Sequence, residues 1–194
     1  MTRNTLLACL LLGSGAAAFA QTPATAVQRD IKQQQRIEQG LQSGALNTRE
    51  ASALEREESR VDQMQSQALK DGKLSPAEQA RLNAAQNKVS SDIYAAKHNG
   101  VAGNPQSVSS QRMQADVQRN INQQQRIENG VQNGSLTHRE AARLEHGQSK
   151  VAKAEANAGR DGHVTGNEQA HVQRAENHQS KHIYNQKHDA QQKN

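Results

Sequence analysis

Shifted by 90 residues, the sequence falls back on itself: 34 of the 72 positions from Val27 to His98 are identical to their counterparts, with no gap between the first and the last. A chain of this kind is a tandem duplication, and comparing its two copies separates constrained positions from free ones. Within each copy the pattern Gly-x-[Leu/Val]-[Ser/Thr/Asn]-x-x-Glu occurs twice, at Gly44 to Glu50 and Gly72 to Glu78, then at Gly134 to Glu140 and Gly162 to Glu168.

Hydrophobic spacing predicts helices throughout. Val27, Ile31, Ile37 and Leu41 keep to one side of a helix, and Val117, Ile121, Ile127 and Val131 repeat them while neighbours such as Asp30 and Lys32 become Asn120 and Asn122. A second helix carries Ala51, Leu54, Val61, Met64 and Ala68, and a third opens at Ser75-Pro76 and carries Leu82, Ala85, Val89 and Ile93. The expected fold is all-α, a duplicated helix-loop-helix-loop-helix unit. The recurring motif explains the turns without a ligand, because Asn47, Ser75, Thr137 and Thr165 can each cap a helix whose third residue, a Glu, closes a capping box.

The ends and the middle lack this periodicity. Residues 1–20 have one positive charge at Arg3, an apolar run from Leu6 to Leu12 and Ala18-Phe19-Ala20 before Gln21, which reads as a secretory signal cleaved after Ala20. Repeat 1 is expected over 24–98, a Gly- and Ser-rich linker over 99–115, repeat 2 over 116–188, and a polar tail over 189–194. The expected location is the periplasm or the exterior. No stretch reaches the roughly 18 consecutive apolar residues that a membrane span needs.

Cleavage would remove the only cysteine and the only phenylalanine, leaving Tyr94 and Tyr184 as the aromatic side chains. No disulfide can then support the fold, so it must draw on helix caps, on packing one copy against the other, or on a partner. With no nucleophile elbow, no phosphate loop and little apolar material for a dry pocket, the reading is non-enzymatic. The formal charge of +5 is spread among alternating Lys, Arg, Asp and Glu, which argues for a solvated surface and against nucleic acid as a partner.

Two constellations carry ligand chemistry. Seven of the eight histidines lie in the second copy, and His171, His178 and His182 are spaced i, i+7, i+11, within about 40° of one another around a helix. Imidazoles at His178 and His182 can reach one Zn²⁺, Cu²⁺ or Ni²⁺ ion from successive turns. Repeat 1 has Arg81, Lys88 and Asp92 there, so the face is solvated, and the competing reading is a polar surface that drifted to histidine. The second copy also exchanges Met64, Leu69 and Val89 for Ala154, Gly159 and Gln179, which reads as packing lost where histidine was gained.

The second constellation is the Asp-Gly form of the motif, at Asp71 to Glu78 and Asp161 to Glu168, which matches the latter half of an EF-hand calcium loop. The former half departs from that pattern. Leu69 cannot bind a hard cation, and the second copy offers Asn157, Asp161 and Glu168 for Ca²⁺, a less favoured ion here than those suited to the histidines.

The combination Arg36-Ile37-Glu38-x-Gly40, Gly44-x-Leu46, Arg49-Glu50-Ala51, Leu54-Glu55, Asp71-Gly72 and Ile93-Tyr94-x-x-Lys97-His98 resembles a repeat of secreted, largely uncharacterised proteobacterial helical proteins. Both copies carry it. The resemblance implies an exported helical protein with EF-hand-like turns and supplies no ligand. The expectation is an exported protein that binds divalent metal weakly, as a buffering or stress factor. The alternative is a protein-interaction or chaperone-like module without metal, docking on a partner chain or on itself.

Overall fold

The computed structural model describes residues 22–189, and the expected signal segment lies outside them. These residues form helices and no strand: α1 (Pro23–Ser43), α2 (Thr48–Ala68), α3 (Pro76–Lys97), α4 (Val108–Asn133), α5 (His138–Ala158) and α6 (Gly166–Lys187). The all-α expectation holds.

Helix starts follow the local chemistry of the motif. Capping boxes are present at all four junctions, at Asn47–Glu50, Ser75–Glu78, Thr137–Glu140 and Thr165–Glu168. In the last of these the Thr165 N–H donates to the Glu168 carboxylate at 2.8 Å and the Glu168 N–H donates back to the Thr165 hydroxyl at 3.3 Å. Each box satisfies backbone donors that the first helical turn leaves without partners.

Helices occupying the same place in the two copies pack on each other, α2 against α5 and α1 against α4. The outer helices α3 and α6 then close opposite sides, each burying one narrow stripe: Leu82, Gln86, Val89 and Ile93 on α3, and Val172, Glu176, Gln179 and Ile183 on α6. The core is therefore shared. Its larger cluster joins Val27, Leu41, Leu54 and Ile93 from the first copy to Val117, Ile121 and Val172 from the second.

Polar side chains fix the outer helices in the same way twice. The Gln33 amide donates to the Gln86 carbonyl at 2.6 Å and to the Ser90 hydroxyl at 2.8 Å, and the Gln123 amide donates to the Glu176 carbonyl at 2.8 Å and the Ser180 hydroxyl at 2.9 Å. Arg36 and Arg126 reach the carbonyls of Ser90 and Ser180 at 3.0 and 3.1 Å. Reciprocal clips join the halves at their ends, with Arg49 donating to the Asp161 carbonyl at 2.9 Å and Arg139 to the Asp71 carbonyl at 3.5 Å.

Two features differ from the sequence reading. The expected linker is shorter, since α4 begins at Val108 and its Met113 is buried in the core. Nor is packing simply lost in the second copy. The Met113 methyl and the Ser52 Cβ occupy the space that a Cβ at Gly159 would need, and the Gln179 side chain lies against Gly147 and donates to the Leu144 carbonyl at 2.9 Å.

Candidate functional site

The histidine stripe does not share one cavity. His178 and His182 are exposed on α6 with ring centroids 5.4 Å apart, and they line a cavity of about 220 Å³ together with His146 from the neighbouring α5. Spacing along one helix does not reveal this third histidine, because it sits on a different helix. Arg143 and Lys150 line the same cavity. His171 lies apart, beside Asn157 and Glu168 around a separate cavity of about 280 Å³.

The three loop residues do not share one cavity. The Asp161 carboxylate accepts from the His163 N–H at 2.9 Å, and Asp161 lines a cavity with Asn47, Thr48 and Gly103, away from Asn157 and Glu168. One Glu168 oxygen is taken by the cap, accepting from the Thr165 N–H at 2.8 Å and its hydroxyl at 2.7 Å. Asp71 makes the same local turn, accepting from the Lys73 N–H at 2.9 Å. Among the described residues, no group of three His, Cys, Asp or Glu side chains is arranged to hold a metal ion.

The most unusual chemistry lies inside. Asp30 on α1, Glu55, Glu58 and Asp62 on α2, and Glu145 and Glu155 on α5 are all buried, while no Lys, Arg or His is buried among the described residues. Their main neutral donors are amides. Gln34 donates to Glu55 at 2.9 Å, Gln124 donates to Asp62 at 3.2 Å and to Glu145 at 3.4 Å, Gln86 donates to Asp30 at 2.6 Å, and Gln65 also donates to Asp30. Glu58 is 1% exposed, and neither of its carboxylate oxygens has a hydrogen-bond partner among the described residues.

Removal from water raises the pKa of every one of these acids, because burial penalises the charged form. Asp30 rises to about 7 despite the opposing amides of Gln86 and Gln65, and Glu55 rises to about 7. Glu58, Asp62, Glu145 and Glu155 are raised well above the ordinary value, first by burial and then by neighbouring carboxylates, with Asp30 nearest in effect on Glu58 and Glu145 on Asp62. Glu55 and Glu155 influence one another across the two halves, and Asn120 donates to the Glu155 carboxylate at 3.2 Å. Toward α6, Asp116 and Glu176 also rise to about 7 through burial, and Arg119 pairs with Glu176 at 3.2 Å.

Sequence reasoning placed these acids on a solvated surface, and the structure puts them in the core. A signal was present. Gln33, Gln34, Glu55 and Ser59 recur unchanged as Gln123, Gln124, Glu145 and Ser149, although more than half of the aligned positions differ. Polar residues retained beside an apolar stripe mark a buried polar layer.

Comparisons with protein-family models, with curated proteins and with solved structures returned no match.

Proposed function

We propose that the chain is an exported, non-enzymatic helical protein that serves under acid stress, its buried carboxyls holding protons that lock the two halves together. The burial of Asp30, Glu55, Glu58, Asp62, Glu145 and Glu155 in a core with no buried cation among the described residues carries this reading. Ionised, the same groups would repel one another in a medium where charge is poorly screened.

Linkage sets the direction. The folded-state pKa values of Asp30 and Glu55 lie above their ordinary values of 3.8 and 4.5, so the unfolded chain gives up these protons first as pH rises. Their stabilisation is complete below the ordinary values and is lost as pH rises through about 7. Glu58, Asp62, Glu145 and Glu155 extend the loss further upward. Each such group contributes a slope of up to about 1.4 kcal/mol per pH unit. Thermal unfolding of the chain beginning at Gln21, followed by circular dichroism from pH 4 to 8, should give a midpoint that falls as pH rises. A midpoint that is flat or that rises across this range would remove the acid-stress reading.

A second reading, weak divalent-metal binding, is favoured by the 5.4 Å approach of His178 and His182 with His146 facing them. Neutral imidazoles suit Zn²⁺, Cu²⁺ or Ni²⁺. Arg143 and Lys150 in the same cavity oppose a dication, which fits buffering better than tight capture.

A further inference from the structure

A cavity of about 650 Å³ opens where α2, α5 and α6 meet, and its lining includes Lys70, Arg139, Arg143, His146 and His182 but no Asp or Glu. Ala142 and the aliphatic stems of the long side chains supply apolar wall. No side-chain hydrogen bond or ion pair is made by Lys70 or Arg143 among the described residues, and both are exposed. Arg139 is held at the rim by the Asp71 carbonyl at 3.5 Å.

The duplication provides an internal control. Of the positions that line the groove, one carries an acid in the other copy: Asp92, which pairs with Lys88. In the groove Asp92 is replaced by His182 and Ala53 by Arg143. These two changes remove the one carboxylate at these positions and add a guanidinium.

We infer that this groove binds a small organic dianion, such as a dicarboxylate or a phosphate monoester. Its volume lies in the range of small-molecule sites. Guanidinium groups match carboxylate and phosphate oxygens in paired hydrogen bonds, and several permanent cations favour two negative charges over one. The inference is independent of the buried acids, because Lys70, Arg139 and Arg143 all lie on the outside of the fold.

Isothermal titration of the chain beginning at Gln21 with succinate, with glycerol 3-phosphate, and with acetate as a monoanion control tests it. Saturable binding of at least one dianion is expected, weakened by about tenfold or more in the double variant Lys70→Gln with Arg143→Gln. Arg60→Gln, an exposed cation on the first copy, should change the affinity less than about twofold. Circular dichroism of each variant confirms that it folds. Three outcomes would overturn the inference: no saturable binding of either dianion up to about 10 mM, acetate binding as well as the dianions, or Arg60→Gln weakening binding as much as the groove variant.

Discussion

The Ser59 hydroxyl donates to the Ser149 carbonyl at 2.8 Å, and the two serines hold the same position in successive copies of the duplication. Their hydroxyl oxygens also lie 3.5 Å apart, so α2 and α5 meet along small side chains. Ser59→Leu would force the helices apart and should cost about 2–3 kcal/mol, seen as a lower thermal midpoint. Ser59→Ala removes only the hydroxyl and should cost about 1 kcal/mol. Equal stability of the leucine variant and the parent would show that the seam is not closely packed.

Glu58→Gln copies a change that the molecule already contains, since Gln148 stands at the matching place. Both oxygens of Glu58 lack partners and its pKa is raised well above the usual range by burial. The neutral amide should therefore stabilise the fold by about 1–3 kcal/mol at pH 8 and change it little at pH 4. Chemical denaturation at the two pH values measures the difference. Destabilisation at pH 8 would mean that the charged form is favoured inside the core.

Gly130 lies under the Leu136 side chain, and a Cβ added there would come within 2.5 Å of Leu136 Cδ1 and 2.7 Å of its Cγ. Gly40 meets Leu46 in the same way. Gly130→Ala should lose about 1–3 kcal/mol despite alanine's better helix propensity, because the leucine is pinned by its N–H bond to the Gly130 carbonyl at 2.9 Å. A more stable alanine variant in thermal unfolding would show that Leu136 can move aside.

Calorimetric titration with Zn²⁺, Cu²⁺, Ni²⁺ and Ca²⁺ separates the two metal constellations. Transition-ion binding should fall by about tenfold or more in His178→Ala with His182→Ala and change little in His171→Ala, which lines another cavity. Glu168→Ala should instead cost about 0.5–2 kcal/mol of stability, through loss of the helix cap. Heat that disappears with Asp161→Ala and Glu168→Ala, yet survives the histidine changes, would move the site to the loop.

The helices were legible because their signals are local. The caps at Asn47, Ser75, Thr137 and Thr165 and the stripe Leu82, Val89 and Ile93 each need only neighbouring residues to be read. Burial of Glu55, Glu58 and Asp62 depends on α2 being covered by α5 on one side and by α1 and α3 on another, a tertiary fact that periodicity does not contain. A helix enclosed on several sides buries a band wider than its apolar stripe. The compensations were hidden for the same reason. Met113 fills the space beside Gly159 from 46 positions away, and His146 joins His178 and His182 from another helix.

The loop across residues 98–107, tied down where the Gly103 N–H donates to the Gly44 carbonyl at 2.8 Å, turns the meeting of α2 with α5 into an event within one molecule. Its short span holds the second copy at a high effective concentration beside the first. Dilution therefore cannot separate the two copies, and either may change its outer face while the other keeps the shared seam intact.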